Sequence, residues 1–220
     1  MHIKKTKMPT SWPVPRKGRG KRFVAVPSHG TSKGISLLFL LRDVLKIVKT
    51  RKEAKYMTLN GMVKVNNVAR KDENFPLQVF DTLSLEKGGL NYRLEIVNRK
   101  FALKEIKASE AGSKIVKISG KAILKDGKVQ MNLDDGQNVL GDAKFNVGDS
   151  VVLDTSKGVV KVVSVLALKV GAKVEVIAGK HAGEKGELVG FKELTRGRDY
   201  EIKLENGTVE LPYKTILVIE

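Results

Sequence analysis

The chain has 220 residues, of which 41% are hydrophobic and 30% charged, and its formal net charge is +17. A positive surplus of this size implies a polyanionic partner, because phosphates neutralise it most effectively. The absence of cysteine excludes disulfides, thiolate metal sites and thiol nucleophiles. The three histidines, His2, His29 and His181, show no metal-ligand spacing. We therefore expect no metal and no cofactor.

The positive charge is concentrated at the start of the chain. Residues 1–35 hold nine lysines and arginines and no acid, and the net charge then falls to +6 over 36–110, +3 over 111–170 and −1 over 171–220. This gradient indicates that one end binds the polyanion and the other end has a different role. The longest apolar run, 35–41, is far shorter than the roughly 18 residues that span a bilayer, and the start does not resemble a signal peptide. We expect a cytosolic protein with no membrane partner.

Residues 1–35 are predicted to form a basic extended arm. They contain four prolines and four glycines and show no helical period. Apolar residues within the arm, such as Trp12 and Phe23, would order it on RNA or on a neighbouring protein, and the alternative is a disordered tail. Deleting residues 1–34 should then flatten the salt dependence of RNA binding. The residues expected to bind RNA here are Lys4, Lys5, Lys7, Trp12, Arg16, Lys17, Arg19, Lys21, Arg22 and Lys33.

Two helices and a small hairpin are predicted after the arm. Apolar residues at helical spacing over 37–48 indicate an amphipathic helix. Thr50 and Glu53 form a capping-box pattern that starts a second helix, which Asn60-Gly61 should end. The period then drops to two, which predicts strands at 62–65 and 68–70 around a turn at 66–67, with Pro76 confined to an edge or a loop.

The chain from Tyr92 onward is predicted to be all-β. Val129, Met131 and Leu133 alternate, and VGDSVV and VGAKVEV suggest two strands entered by the same kind of turn. We expect two small barrels with a boundary near 168–170, and a mostly-β α+β fold for the whole chain. Turn signals separate the strands at Asp126-Gly127, Asp135-Gly136, Gly148-Asp149, Lys157-Gly158 and Asn206-Gly207.

The segment 36–85 resembles the RNA-binding domain named after bacterial small-subunit ribosomal protein four. The matching residues are LLFLLRDVLKIV and TRKEAKYMTLNGMVKVNNVARKDENFPLQVFDTLSL. The resemblance implies two helices packed into an L, with a hairpin beside them, that present cations to RNA phosphates. Such contacts position RNA without reading its sequence, and solvated helix faces are the alternative. The expected RNA-binding residues are Arg42, Lys46, Arg51, Lys52, Lys55, Lys64, Arg70 and Lys71.

The segment 170–190, VGAKVEVIAGKHAGEKGELVG, resembles a KOW motif. The resemblance implies an SH3-like barrel with Val174 and Val176 in the core and Glu175 outside, and with Lys180 and His181 at a loop tip that meets RNA or protein. Glycines at 179, 183 and 186 would allow tight turns and a close backbone approach. The acidic balance of the segment leaves RNA contact, protein contact and a purely structural role open.

The order of parts, from a basic arm with PTSWPVPRKG to a terminal KOW segment, resembles the e-type small-subunit ribosomal protein four of archaea and eukaryotes, in its archaeal branch. The resemblance implies four domains: the arm at 1–35, the RNA-binding domain at 36–91, a central β-barrel-like domain at 92–169 and a KOW barrel at 170–220. It also implies a non-enzymatic constituent of the cytoplasmic small ribosomal subunit. Its partners would be small-subunit rRNA, in the body formed by the 5′ region, and neighbouring ribosomal proteins, with no small-molecule substrate. The alternative is a KOW-containing transcription elongation factor or an RNA-modification accessory factor.

Overall fold

The fold is known from a computed structural model, which describes residues 2–18, 22–31, 33–86, 88–125, 127–141, 145–156, 158, 160–194, 197–205 and 207–219. The chain forms two compact units. Unit 1 comprises Met1–Ile96 and Lys100–Gly112, and unit 2 comprises Val97–Arg99 and Ser113–Glu220. Both are built mainly of antiparallel strands, with short helices in unit 1, so the predicted mostly-β α+β class is confirmed.

Unit 1 begins with the basic arm, which is folded rather than extended. Strand β1 (His2–Lys4) leads into a 3₁₀ turn (Lys5–Lys7) and pairs antiparallel with β2 (Phe23–Ala25). Strand β3 (Gly34–Ser36) then pairs with β6 (Pro76–Gln78) in a separate two-stranded sheet. Pro76 thus lies in an edge strand, as predicted, where its missing N–H costs no ladder bond.

The first helical segment is shorter than its predicted range of 37–48. Helix α1 (Leu37–Phe39) continues as a π-helical turn over Leu40–Val44, and Lys46 then adopts a left-handed φ of 56° that ends it. The side chains of residues 37–41 are all buried, not only those on one helical arc. The folded arm contributes to this burial, because the Trp12 ring lies 5.9 Å from that of Phe39.

The second helix and its turns follow the prediction. Helix α2 (Arg51–Leu59) begins with the Thr50–Glu53 capping box, and Gly61 follows it with a φ of 69°. Asn66 and Asn67 have φ values of 51° and 62°, as the two central residues of a tight hairpin turn require.

The main sheet of unit 1 has five strands in the order β5-β4-β7-β8-β9. They are β4 (Val63–Val65), β5 (Val68–Ala69), β7 (Thr82–Leu85), β8 (Leu90–Val97) and β9 (Lys100–Ile106). The predicted domain boundary between residues 91 and 92 therefore falls within a strand. The pairing of β7 with β8 carries the first sheet past that boundary.

Unit 2 contains two five-stranded antiparallel sheets, each with its own apolar core. The first has the order β12-β11-β10-β13-β14 and the second β18-β17-β16-β15-β19. The first sheet consists of β10 (Ser113–Ile123), β11 (Val129–Leu133), β12 (Asn138–Gly141), β13 (Ser150–Asp154) and β14 (Lys161–Leu166). The second consists of β15 (Lys173–Val176), β16 (Lys185–Leu194), β17 (Gly197–Leu204), β18 (Gly207–Pro212) and β19 (Ile216–Val218).

The predicted alternation and the repeated turn are both confirmed in unit 2. Val129, Met131 and Leu133 are buried while the residues between them are half-buried. The turns before β13 and β15 each carry a glycine of positive φ, Gly148 at 104° and Gly171 at 89°. The predicted turn residues Asp126, Lys157 and Asn206 lie outside the described residues.

Polar contacts join the two sheets of unit 2. The buried Lys117 ammonium on β10 donates to the carbonyl oxygen of Ile216 at 3.0 Å and also to that of Tyr213, whose ring it approaches at 4.9 Å. The Ser150 hydroxyl accepts a hydrogen bond from Val218 N at 3.0 Å. Because a buried ammonium must satisfy its donors internally, this contact holds β19 against the first sheet.

Candidate nucleic-acid interface

The arm is anchored in the core of unit 1. Trp12 is 0% exposed, and its ring centroid lies 5.9 Å from that of Phe39 on α1. The carbonyl oxygen of Ser11 accepts a hydrogen bond from Phe101 N at 2.7 Å. The expectation that Trp12 contacts RNA is therefore wrong for this conformation, because apolar burial against Phe39 leaves no face of the indole open to a base.

The charged side chains of the arm have a different placement. Lys4, Lys7, Lys17 and Arg22 are exposed, as is Lys33, whereas Lys5 is half-buried. Arg16 is exposed as a residue, but its guanidinium donates to the carbonyl oxygen of Met8 and so helps to fix the arm. Arg19 and Lys21 lie outside the described residues. The fold thus buries the apolar residues of the arm and displays most of its cations.

Acidic neighbours compensate two arginines on the helical segments. The Arg42 guanidinium donates to Asp43 Oδ2 from Nε at 3.0 Å and from Nη2 at 2.6 Å. Arg51, the first residue of α2, donates from Nε to Oε1 of the buried Glu73 at 2.6 Å. The hydrogen bond to Glu73 and the charge of that carboxylate raise the pKa of Arg51. Arg51 therefore neutralises a buried acid, and it is a structural residue as well as a surface cation.

The start of α2 is fixed by its cap. Glu53 Oε2 accepts from Lys49 N at 2.8 Å and from Thr50 N at 3.4 Å, and the Thr50 hydroxyl accepts from Glu53 N at 3.3 Å. The backbone hydrogen bonds from Lys49 and Thr50 lower the pKa of the Glu53 carboxyl, because they favour its charged form. The cap sets the direction in which the exposed face of α2 points.

That exposed face carries lysines together with apolar residues. Lys52, Lys55, Tyr56 and Leu59 are all exposed, and their spacing of three and four places them on one side of the helix. Among the described residues, neither lysine has an ion-pair partner. Tyr56 is 64% exposed, and sequence reasoning missed it as a functional candidate. Its spacing of four residues from Lys52, away from the buried positions 54 and 58, indicates from the sequence that Tyr56 lies on the exposed face.

The hairpin after α2 contributes fewer open cations than predicted. Lys64 Nζ lies 2.6 Å from Glu86 Oε1, and the Arg70 guanidinium carbon lies 4.5 Å from the centre of the Phe75 ring. Lys71 and Lys46, by contrast, are exposed and make no ion pair within the part of the chain that the structure describes. Among the described residues of the two-helix region, the exposed lysines without an ion pair are therefore Lys46, Lys49, Lys52, Lys55 and Lys71.

The KOW-like loop in unit 2 is confirmed as a tight turn. Gly179 and Gly183 have φ values of 96° and 91°, and a Cβ on Gly186 would lie 2.5 Å from the carbonyl oxygen of Lys203. Lys180 is exposed at this loop, whereas the imidazole of His181 is half-buried with Nδ1 3.1 Å from Glu184 Oε2. The loop therefore presents one exposed candidate residue, Lys180, rather than two.

One expectation for the KOW-like strand is wrong. Val174 and Val176 are fully buried as predicted, but Glu175 is only 4% exposed. It lies on β15 directly opposite Lys185 of β16, and the two side chains approach to 3.9 Å. The Lys185 side chain lies beside Glu175 on the same face of the sheet, whereas Lys173 at the start of β15 is exposed.

Part of the positive charge of unit 2 is buried and does not reach the surface. Lys114 is buried with its Nζ 2.8 Å from Asp135 Oδ2, and Lys117 is buried in the contact with β19. Both cations serve the fold. Across the described ranges, no helix is both long enough and apolar enough to cross a membrane.

Comparison with known proteins supports the predicted family resemblance independently of the fold. A family model described as ribosomal family S4e matches residues 89–160. The small ribosomal subunit protein eS4 of Methanocella arvoryzae is 34% identical over 195 residues, covering 87% of this chain and 81% of that protein. The protein of the same name from Halobacterium salinarum is also 34% identical, over 226 residues that cover 100% of this chain and 95% of its own length. The chain belongs to ribosomal family S4e.

The fold agrees with that assignment. The crystal structure of the 30S ribosomal protein S4e from Thermoplasma acidophilum superimposes with a TM-score of 0.71 at 22% identity, covering 85% of this chain and 95% of that one. S4e proteins are structural ribosomal proteins and not enzymes. The predicted resemblance to the archaeal branch is confirmed, since the relatives named above are archaeal.

Proposed function

We propose that the protein is a structural constituent of the small ribosomal subunit that binds small-subunit rRNA through unit 1. The observation that carries the proposal is the display of open lysines and arginines on the folded arm and on α2. Family membership supports the ribosomal role, because the relatives carry the name of a small-subunit ribosomal protein and not that of a transcription or RNA-modification factor. The expected location is the cytoplasmic ribosome, next to other ribosomal proteins.

The binding mechanism is neutralisation of phosphates with release of counterions. Each lysine that reaches a phosphate displaces condensed ions, so affinity falls as salt rises. Such contacts fix the position of the protein on RNA, while the shape of the folded RNA selects the site. The proposed location is the body formed by the 5′ region of small-subunit rRNA.

The proposal divides the chain after the arm into three domains. The two helices and the hairpin act as an RNA-binding domain that begins at residue 36 and includes β8 and β9. The first sheet of unit 2 is the central β-barrel-like domain, and the second is an SH3-like KOW barrel. Their separate apolar cores and the glycine turns of the KOW-like loop support this division.

The proposed RNA-binding residues are the exposed lysines and arginines whose charge no described acidic side chain compensates. Lys4, Lys7, Lys17 and Arg22 on the arm contact phosphates, together with Lys46, Lys52, Lys55 and Lys71. Arg42, Arg51 and Lys64 contribute less to affinity, because an adjacent carboxylate already compensates each charge. Lys180 on the KOW-like loop is the remaining candidate in unit 2.

The experiment measures affinity for small-subunit rRNA as a function of salt. A variant with Lys52→Gln, Lys55→Gln and Lys71→Gln is compared with the wild-type chain. The three replacements should reduce the slope of log affinity against log salt by about 2 to 3, at roughly 0.7–0.9 per lost phosphate contact. Deletion of residues 1–34 is a poorer test than the sequence suggested, because it also removes Trp12 from the core.

The matched control neutralises three exposed lysines of unit 2, with Lys128→Gln, Lys161→Gln and Lys203→Gln. Its net charge equals that of the first variant, so a general charge effect would appear in both. Equal slopes for the two variants would show that unit 1 is not the electrostatic interface, and absence of binding by the wild-type chain would refute the proposed function itself.

A further inference from the structure

An open groove lies in unit 1 between the β1–β2 ribbon and the two helices, and the proposed function does not yet use it. Its volume is about 240 Å³. Leu38 of α1 contributes apolar surface, and the remaining lining includes His2, Phe23, Arg42, Arg51 and Asn74. The groove thus combines an aromatic ring, two guanidinium groups and an amide.

The aromatic wall is exposed although it belongs to the arm. Phe23 is 47% exposed on a three-residue strand, whereas its neighbour Val24 is buried. The His2 ring meets the Phe23 ring edge-on at 4.9 Å, and the Arg22 guanidinium carbon lies 5.8 Å from the ring centre. An exposed ring held in this way offers a platform on which a planar base stacks.

The polar groups of the groove favour a neutral ligand over an anion. Asp43 already binds Arg42, and Glu73 already binds Arg51, so the two guanidinium planes are fixed and their charges are compensated. A free phosphate would gain little from two arginines whose charges are already compensated. A nucleobase would gain a guanidinium surface and N–H donors without needing that charge.

Asn74 supplies a hydrogen-bonding group whose backbone is held in place. Its N–H donates to Asp72 Oδ1 at 2.9 Å, and its carbonyl oxygen accepts from Ser28 N at 2.8 Å. The side-chain amide makes no hydrogen bond with any residue that the structure describes. An amide offers one donor group and one acceptor, which match the edge of a base.

Cations at the rim complete the arrangement. Lys4 lies directly opposite Phe23 across the β1–β2 pair, so the two side chains share one face of the ribbon. Lys4 and Arg22 are both exposed. A nucleotide whose base enters the groove would place its phosphate among these cations.

We propose that the groove bounded by Phe23, Leu38, Arg42, Arg51 and Asn74 binds a single unstacked nucleobase of the RNA, with its phosphate held by Lys4 and Arg22. This inference rests on the proposed rRNA binding and adds a contact with a base to it. A base that is unpaired in the RNA enters at the lowest cost, because no pairing has to be broken.

The test uses the full chain and two RNA hairpins that differ at one nucleotide. One hairpin carries a single unpaired adenosine, and the other carries an abasic residue at that position. The wild-type protein should bind the adenosine hairpin about 5- to 150-fold more tightly, the range that base stacking supplies. Phe23→Ala should abolish that ratio while leaving the affinity for the abasic hairpin unchanged, since the rim cations remain.

The matched control is Phe191→Ala in unit 2. Phe191 is 55% exposed and has an arginine, Arg198, 5.5 Å from its ring centre, so it resembles Phe23 in exposure and in its cationic neighbour. This variant should keep the full ratio. Asn74→Ala, which leaves the ribbon intact, should lower the ratio and provides a second variant if Phe23→Ala perturbs the arm.

Three results would overturn the inference. The first is equal affinity of the wild-type protein for the two hairpins, which would leave the proposed rRNA binding intact. The second is an equal loss of affinity for both hairpins in Phe23→Ala and in Asn74→Ala, which would assign these residues to the fold. The third is ultraviolet crosslinking of the wild-type complex with small-subunit rRNA in which the peptide containing Phe23 carries no nucleotide.

Discussion

Replacing Phe39 by alanine tests whether the basic arm belongs to the core of unit 1. Phe39 is 4% exposed, and its ring lies 5.9 Å from that of Trp12. Truncating a buried phenylalanine costs about 3–5 kcal/mol, through lost transfer free energy and the cavity that remains. The aromatic contact itself accounts for roughly 0.5–1.5 kcal/mol of stabilisation beyond area burial. Phe39→Ala should therefore remove a large part of the stability of a domain of this size, which is typically about 5–15 kcal/mol.

The assay is urea unfolding followed by tryptophan fluorescence. Trp12 is the only tryptophan in the chain, so its emission reports on the arm and not on unit 2. With a denaturant dependence of about 2 kcal/mol per molar urea, the loss corresponds to a fall in midpoint of about 2 M. The native emission should be that of a buried indole, shielded from iodide.

The control is Phe191→Ala. The Phe191 ring is exposed in unit 2, so the urea midpoint reported by Trp12 fluorescence should equal that of the wild type. Two results would refute the reasoning. One is native Trp12 emission that is already quenched by iodide, and the other is an unchanged midpoint in Phe39→Ala. Either would mean that the arm does not pack against α1 in solution.

Two further predictions concern single residues. The pKa of Glu53 is lowered in the folded state from its usual 4.5, so its contribution to stability is complete at neutral pH and is lost as the pH falls below about 4.5 through the folded pKa. Glu53→Gln should remove that part of the pH dependence, measured by urea unfolding between pH 7 and pH 3, and an unchanged pH profile would contradict it. Lys117→Met should destabilise unit 2 by about 1.5–3 kcal/mol, because the carbonyl oxygen of Ile216 loses a charged donor in a buried position. Calorimetry should show a lower melting temperature for this variant than for the wild type, and an unchanged melting temperature for the exposed Lys161→Met. Equal melting temperatures of Lys117→Met and the wild type would exclude the proposed role of the ammonium.

Local features of the fold could be predicted from the sequence because short-range interactions determine them. The Thr50–Glu53 cap joins residues three apart, and the Asn66-Asn67 turn needs only two residues that tolerate positive φ. The alternation of Val129, Met131 and Leu133 follows from the period of a strand that is buried on one face. The end of the first helix was missed, since apolar periodicity continues past the π-helical turn and the left-handed Lys46 that end it.

The sequence predicts the interface in the basic half of the chain, and the structure changes which of the predicted residues are exposed. Charge counts identify the basic half of the chain, but they do not distinguish an open lysine such as Lys52 from a buried one such as Lys114. The groove beside Phe23 was not predicted, because its walls come from residues 2, 23, 38 and 74. No local pattern brings these positions together.

The sequence by itself determined the class of the fold, the positions of most of its caps and turns, and a net charge that favours a polyanionic partner. Only the tertiary structure decided which side chains are available to that partner. Trp12 is enclosed because Phe39 packs against it, and Arg51 is compensated because Glu73, 22 residues away, is buried beside it. Both outcomes depend on elements that are distant in the chain. Burial and charge compensation are properties of the assembled surfaces, whereas caps and turns are properties of a few consecutive residues.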